Sequence, residues 1–167
     1  MGWTIPPRFA NVPTHIGLRC GEGAGVYRGL KEGGVTMTFR RYGQAAIEAQ
    51  RLAQETKNPN QAWDDVTSKI FGRGTPSQKK GCPREAFLGL CEEGKVVGIP
   101  GGQKYTVSEL NKKYALVAIE ILRGEPKLAD YSAVLWRRVL ERLGKGGRSH
   151  NQQMNVVISL WKTGKLA

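Results

Sequence analysis

Residues 79–115 read KKGCPREAFLGLCEEGKVVGIPGGQKYTVSELNKKYA, and the order of residue types along that stretch decides the fold class. Cys82-Pro83 places a proline where a helix can begin. Phe87, Leu88, Leu90 and Cys91 supply an apolar side, and Gly94 stands where a helix stops. Val96, Val97 and Ile99 form an apolar scrap with strand character, and Pro100-Gly101-Gly102 reads as a turn. Thr106-Val-Ser-Glu109 has the spacing of a capping box, in which hydroxyl and carboxylate each satisfy an orphan backbone N–H. The spacing therefore predicts a second helix with a stripe of Leu110, Tyr114, Val117, Ala118, Ile121 and Leu122, ended by Gly124 and Pro126.

Outward from this stretch the pattern stays helical. Ala45, Ala46, Ala49, Leu52 and Ala53 make a small-residue stripe on a helix over 43–56. Asn58-Pro59 then restarts the chain with a cap residue and a proline at the first helical position, leading to Ala62, Trp63, Val66 and Ile70. Residues 72–81 read as a loop. After Pro126 a fifth helix is expected over 128–143, with Tyr131, Leu135, Trp136, Val139 and Leu143. A sixth is expected to open at Ser149-His-Asn-Gln152, another capping-box spacing, and to carry Met154, Val157, Ile158 and Trp161. The expected class is mainly α: a compact domain of about six helices over 37–167. A winged helix-turn-helix variant would use helices over 60–71 and 84–93, with 98–104 as a small β-turn wing.

Residues 1–36 carry Pro6, Pro7, Pro13 and the run Gly21-Glu-Gly-Ala-Gly, with no sustained period of 2 or 3.6. They are expected to be a disordered extension. Lys31-Glu32-Gly33 can be encoded AAG-GAG-GG, a purine-rich ribosome-binding core shortly before Met37, so one reading starts the natural protein at Met37 and the other keeps a flexible arm. The glycine run follows no apolar strand and lacks the Lys-Ser/Thr of a phosphate loop.

Residues 80–94 (KGCPREAFLGLCEEG), Gly98-Ile-Pro100 and 105–115 (YTVSELNKKYA) together resemble an uncharacterised family of small bacterial proteins of unknown function. The resemblance covers about 37–123. It implies a bacterial or mobile-element origin and brings no activity, cofactor or site residue with it.

Chemistry-bearing residues are sparse. Cys82 is the candidate nucleophile, but nucleophilic catalysis also needs a base and an orienting group, and the chain offers only His15 and His150. Cys91 reads as core filler. Three cysteines without a C-x2-C pair, and two isolated histidines, do not make a four-ligand metal site, so neither metal nor cofactor is expected. Asp64-Asp65 and Glu92-Glu93 are adjacent, about 100° apart on a helix, and read as solvated faces. An odd cysteine count, the lack of an apolar run near the roughly 18 residues of a membrane span, and an N-terminus without a signal-peptide core point to a cytoplasmic protein that does not enter a membrane.

Charge is the strongest functional signal. The chain holds 26 Lys+Arg against 14 Asp+Glu, a net +12, which favours polyanionic partners. Lys79, Lys80, Arg84, Lys95, Lys104, Lys112 and Lys113 surround the residue 79–115 module and are the candidate nucleic-acid contacts. Arg137, Arg138, Arg142, Lys145 and Arg148 form a second basic patch, and residues 142–165 contain no acid at all. The expectation is a small basic, non-enzymatic binding protein that contacts nucleic acid through the phosphate backbone rather than by reading bases. The alternatives are a module for an acidic protein partner and an unrecognised enzyme.

Overall fold

The computed structural model describes residues 27–28 and 38–167. Two short antiparallel strands, β1 (Tyr27–Arg28) and β2 (Thr38–Phe39), pair with Tyr27 opposite Phe39. Six α-helices follow: α1 (Arg41–Thr56), α2 (Pro59–Phe71), α3 (Gly81–Glu92), α4 (Glu109–Gly124), α5 (Ser132–Arg142) and α6 (Gln153–Lys162), with a 3-10 turn at Pro126–Asp130 before α5. Apart from Tyr27–Arg28, the expected extension over 1–36 lies outside the described residues.

Two helices make the centre. In α3 every residue from Glu85 to Cys91 is buried, and in α6 Met154, Val156, Val157 and Leu160 have no exposed surface. A helix buried on all sides must be wrapped by others. Accordingly α1 packs on α2 and α6, α4 on α3 and α6, and α5 on α4. The alanine stripe of α1 is buried as expected except for Leu52, which is only partly covered. Small residues allow close crossings. At Gly89 an added Cβ would come within 2.7 Å of the Cβ of Lys112, so α3 and α4 touch backbone to stem.

The joint between α1 and α2 forms as its residues dictate. Asn58 accepts the Gln61 N–H at 3.1 Å, Pro59 takes the first helical position, and Trp63 is fully buried against Phe87 with ring centroids 5.2 Å apart. The helix ends after α3, α5 and α6 share one device. Gly94, Gly144 and Gly164 take φ of 62°, 61° and 64°, while the N–H groups of Lys95, Lys145 and Lys165 close onto the carbonyls of Leu90, Leu140 and Leu160. That is the Schellman pattern, in which a left-handed glycine satisfies the last free carbonyls.

Four expectations need correcting. Thr106 does not cap α4: Ser108 does, accepting the Asn111 N–H at 3.3 Å, and the helix starts at Glu109. Leu110 is therefore exposed, and Lys112, Ala115 and Ile119 join the buried face. The fifth helix is interrupted, because Tyr131 adopts φ −127°, ψ 69° and ends the 3-10 turn before α5 begins. The capping-box reading at Ser149 also fails: α6 begins at Gln153 after a left-handed Gln152. Finally, residues 98–104 contain no strand and so form no wing, and the strand expected at Val96, Val97 and Ile99 is reduced to one bridge. Val96 instead bridges Leu166, and the Val97 N–H reaches the Lys165 carbonyl at 3.0 Å.

Candidate polyanion-binding surface

Glu85 and Glu92 are two turns apart on α3 and so share a face, and that face meets the loop leading into α4. Glu92 accepts the N–H groups of Tyr105 and Thr106 at 3.0 and 3.1 Å. Glu85 accepts the Thr106 hydroxyl at 2.5 Å and the Val107 N–H at 2.9 Å. These carboxylates supply acceptors for backbone that has no secondary-structure partner. Glu92 is thus not the solvated residue its position suggests. Its side chain is 10 % exposed, and Lys112 Nζ lies 2.6 Å away.

Cations of the module close around these acids. Lys112, itself buried, also reaches Glu93 at 3.1 Å and Glu109 at 3.0 Å. Lys104 bridges Glu109 at 2.5 Å and Glu92 at 3.4 Å. The Lys112 hydrogen bond holds the Glu92 carboxyl at a pKa of about 2, and the same contact raises that of Lys112. Burial pushes Glu85 up, but the bonds from Thr106, Val107 and Arg84 outweigh it and leave its pKa lowered. Arg84 fans out to Asp64 at 3.2 Å, Glu85 at 2.9 Å and Asn60 at 3.0 Å. Three of the seven expected contacts, Arg84, Lys104 and Lys112, are therefore engaged with carboxylates, Lys104 at the exposed surface. Lys79 and Lys113 are exposed, and Lys80 and Lys95 half-buried.

Packing at the start of α1 brings together what the sequence separates. Tyr42 donates to the Ser77 carbonyl at 2.8 Å and stacks on Phe71. Arg41 donates to the Ile70 carbonyl and lies 4.7 Å over the Phe71 ring. The Tyr42 bond ties loop 72–80 to α1, and the Arg41 contacts tie the end of α2 to it. Loop 143–152 packs on α5 and brings His150 near Arg40. Trp136 Nε1 donates to the Arg148 carbonyl at 2.6 Å, and the Trp136 ring sits 6.3 Å from His150. Burial, and then the Arg40 charge beside it, lowers the pKa of His150. Arg40 at the start of α1, Arg73 and Lys79 on loop 72–80, and Lys145 and Arg148 on loop 143–152 are all exposed. Arg40 and Arg73 were missed in sequence, although Arg40-Arg41 directly precedes the alanine stripe. The α5 arginines Arg137, Arg138 and Arg142 remain exposed, each 3.7–3.8 Å from one glutamate.

The charges do not balance over the surface. Among the described residues every carboxylate except Glu48 and Asp65 lies within 4.0 Å of a Lys or Arg nitrogen. Arg40, Arg73, Lys79, Lys80, Lys113, Lys145 and Arg148 have no such partner among those residues. Cys91 is fully buried, which pushes its thiol up, and Cys82 is half-buried at the second position of α3. Among the described residues no group of three His, Cys, Asp or Glu is placed to hold a metal ion, and no helix is long and apolar enough to cross a membrane.

A mainly helical domain with paired acids and surplus cations is the class that this architecture defines. The chain belongs to a family of unknown function, DUF6979, whose family model matches residues 39–167. No curated protein and no solved structure matches it.

Proposed function

We propose that this protein binds nucleic acid through the sugar-phosphate backbone, using the cations at the start of α1 and on loops 72–80 and 143–152. The observation that supports this reading is the charge asymmetry: acids are consumed by internal ion pairs, while these loop cations stay uncompensated. Exposed lysines and arginines that pair with nothing contribute little to folding. They are, however, the groups that displace counterions from phosphates. Backbone contact rather than base reading is supported by the burial of α3, which leaves that helix no face free to enter a groove in the helix-turn-helix manner. A cytoplasmic, bacterial setting is part of the proposal and fits the free thiols.

Fluorescence anisotropy with a labelled duplex, titrated with salt between about 50 and 200 mM, tests it. About four phosphate contacts give a slope of log K against log salt near −3.6. Replacing Arg73, Lys79 and Lys80 together by Ala should flatten that slope by about 2 to 3. No binding to duplex or single strand at low salt defeats the proposal. An unchanged slope in the triple variant moves the site elsewhere.

The second reading, an acidic protein partner, draws support from Val107 and Leu110, 89 % and 37 % exposed near Lys113, which has no carboxylate partner among the described residues. Capture from a lysate that survives nuclease treatment, combined with no oligonucleotide binding, would favour it.

A further inference from the structure

A cleft of ≈ 410 Å³ opens between α2 and loop 72–80, lined among others by Asp64, Asp65, Ser68, Arg73, Lys79 and Arg84. Its size suits a small polar ligand or one nucleotide unit. Its walls differ in sign. Arg73 and Lys79 stand on the loop side without a carboxylate partner among the described residues. Asp64 and Asp65 stand on the helix side, both facing the same cleft although they are consecutive in sequence. Asp64 is neutralised by Arg84 at 3.2 Å. Asp65 has no Lys or Arg nitrogen within 4.0 Å among the described residues and accepts from the Gln61 amide at 2.7 Å.

A site meant for bare phosphate would not keep an uncompensated carboxylate in its wall, since like charges repel the ligand. A ligand that offers an anion to the loop and hydroxyl donors to the helix satisfies both walls, because O–H groups bond strongly to a carboxylate. Ribose phosphate has that composition, and deoxyribose phosphate lacks the 2′-hydroxyl donor. We propose that this cleft is a ribose-phosphate site, in which Arg73 and Lys79 hold the phosphate and Asp65 accepts from the ribose hydroxyls, so that the protein prefers RNA or a ribonucleotide over DNA. The inference rests on the nucleic-acid reading above and narrows it to one sugar.

The test compares a labelled single-stranded oligoribonucleotide with the oligodeoxyribonucleotide of the same sequence, and adenosine monophosphate with its 2′-deoxy counterpart, on the full chain. Asp65→Asn is the diagnostic variant, because Asp65 carries no ion pair among the described residues and Asn still accepts from Gln61. The expected result is a preference of about tenfold for the ribose form, equivalent to 1.4 kcal/mol, in the strand arm or the free-nucleotide arm. Asp65→Asn should abolish that preference while leaving deoxyribose binding equal or slightly tighter. Arg73→Ala with Lys79→Ala should weaken both sugars alike. Equal affinity for ribose and deoxyribose ligands in both arms, or a preference untouched by Asp65→Asn, overturns the ribose inference and leaves nucleic-acid binding standing. Absence of any binding to RNA, DNA or nucleotide at low salt overturns both.

Discussion

Glu92 shows how one side chain organises a loop that has no regular structure. Its two oxygens take two backbone N–H groups and two lysines, and Lys112 answers with contacts to three glutamates. Losing a carboxylate's charge-assisted hydrogen bonds, while the cation keeps other partners, costs about 2 kcal/mol. We therefore expect Glu92→Gln to lower stability by about that amount in chemical denaturation. Lys112 keeps Glu93 and Glu109, so the loss should not unfold the protein. The pH dependence has a definite sign. A carboxyl held at about 2 in the fold, below its ordinary value near 4.5, contributes stability that is present above pH 4.5 and disappears as pH falls toward 2. Glu92→Gln should flatten the stability profile across that window, and an unchanged acid limb would refute the role. None of this was legible beforehand. The charged residues were visible, but whether a glutamate near a helix end meets water or a loop's N–H groups depends on where the loop folds back.

At the level of the element, helix boundaries followed the local chemistry where one residue had one task. Asn58-Pro59 and Gly94 behaved as read, and the Leu-x-x-x-Gly-Lys spacing at 90–95, 140–145 and 160–165 marks three helix ends by the same hydrogen bonds. Boundaries shifted where tertiary partners competed. The Thr106 hydroxyl donates to buried Glu85 instead of capping α4, and the cap moves to Ser108. The close contact of α3 and α4 yields a sharp expectation. Gly89→Ala would force a methyl to within 2.7 Å of the Lys112 Cβ and 2.9 Å of its Cα, and overpacking of this kind costs about 1–3 kcal/mol. Thermal denaturation of Gly89→Ala should show that loss, whereas Gly81→Ala, with no atom near its would-be Cβ, should be close to neutral.

At the scale of the whole molecule, the buried hydrophobic core among the described residues runs from Ala45 to Leu160, and residues 37–167 carry 22 Lys+Arg against 12 Asp+Glu. Deleting residues 1–36 removes one strand of the β1–β2 pair and no member of that core. The truncated protein should keep a single cooperative thermal transition and, if the proposed surface is right, most of its salt-dependent affinity. A broad, non-cooperative melt would show instead that the amino-terminal segment completes the core.

Local sequence determined the helices, because apolar spacing, the Asn-Pro start and the glycine stops act within one or two turns of the chain. It also determined the excess of positive charge, which needs no fold to exist. Which helices are central, that Arg84 and Lys112 turn toward carboxylates of other elements, and that Ser77 and His150 come to the start of α1 were decided by tertiary structure alone. The physical reason is that an ion pair or a covered face depends on atoms distant in sequence: Arg84 finds Asp64 20 residues away, and Lys112 finds Glu92 across the crossing that Gly89 makes possible.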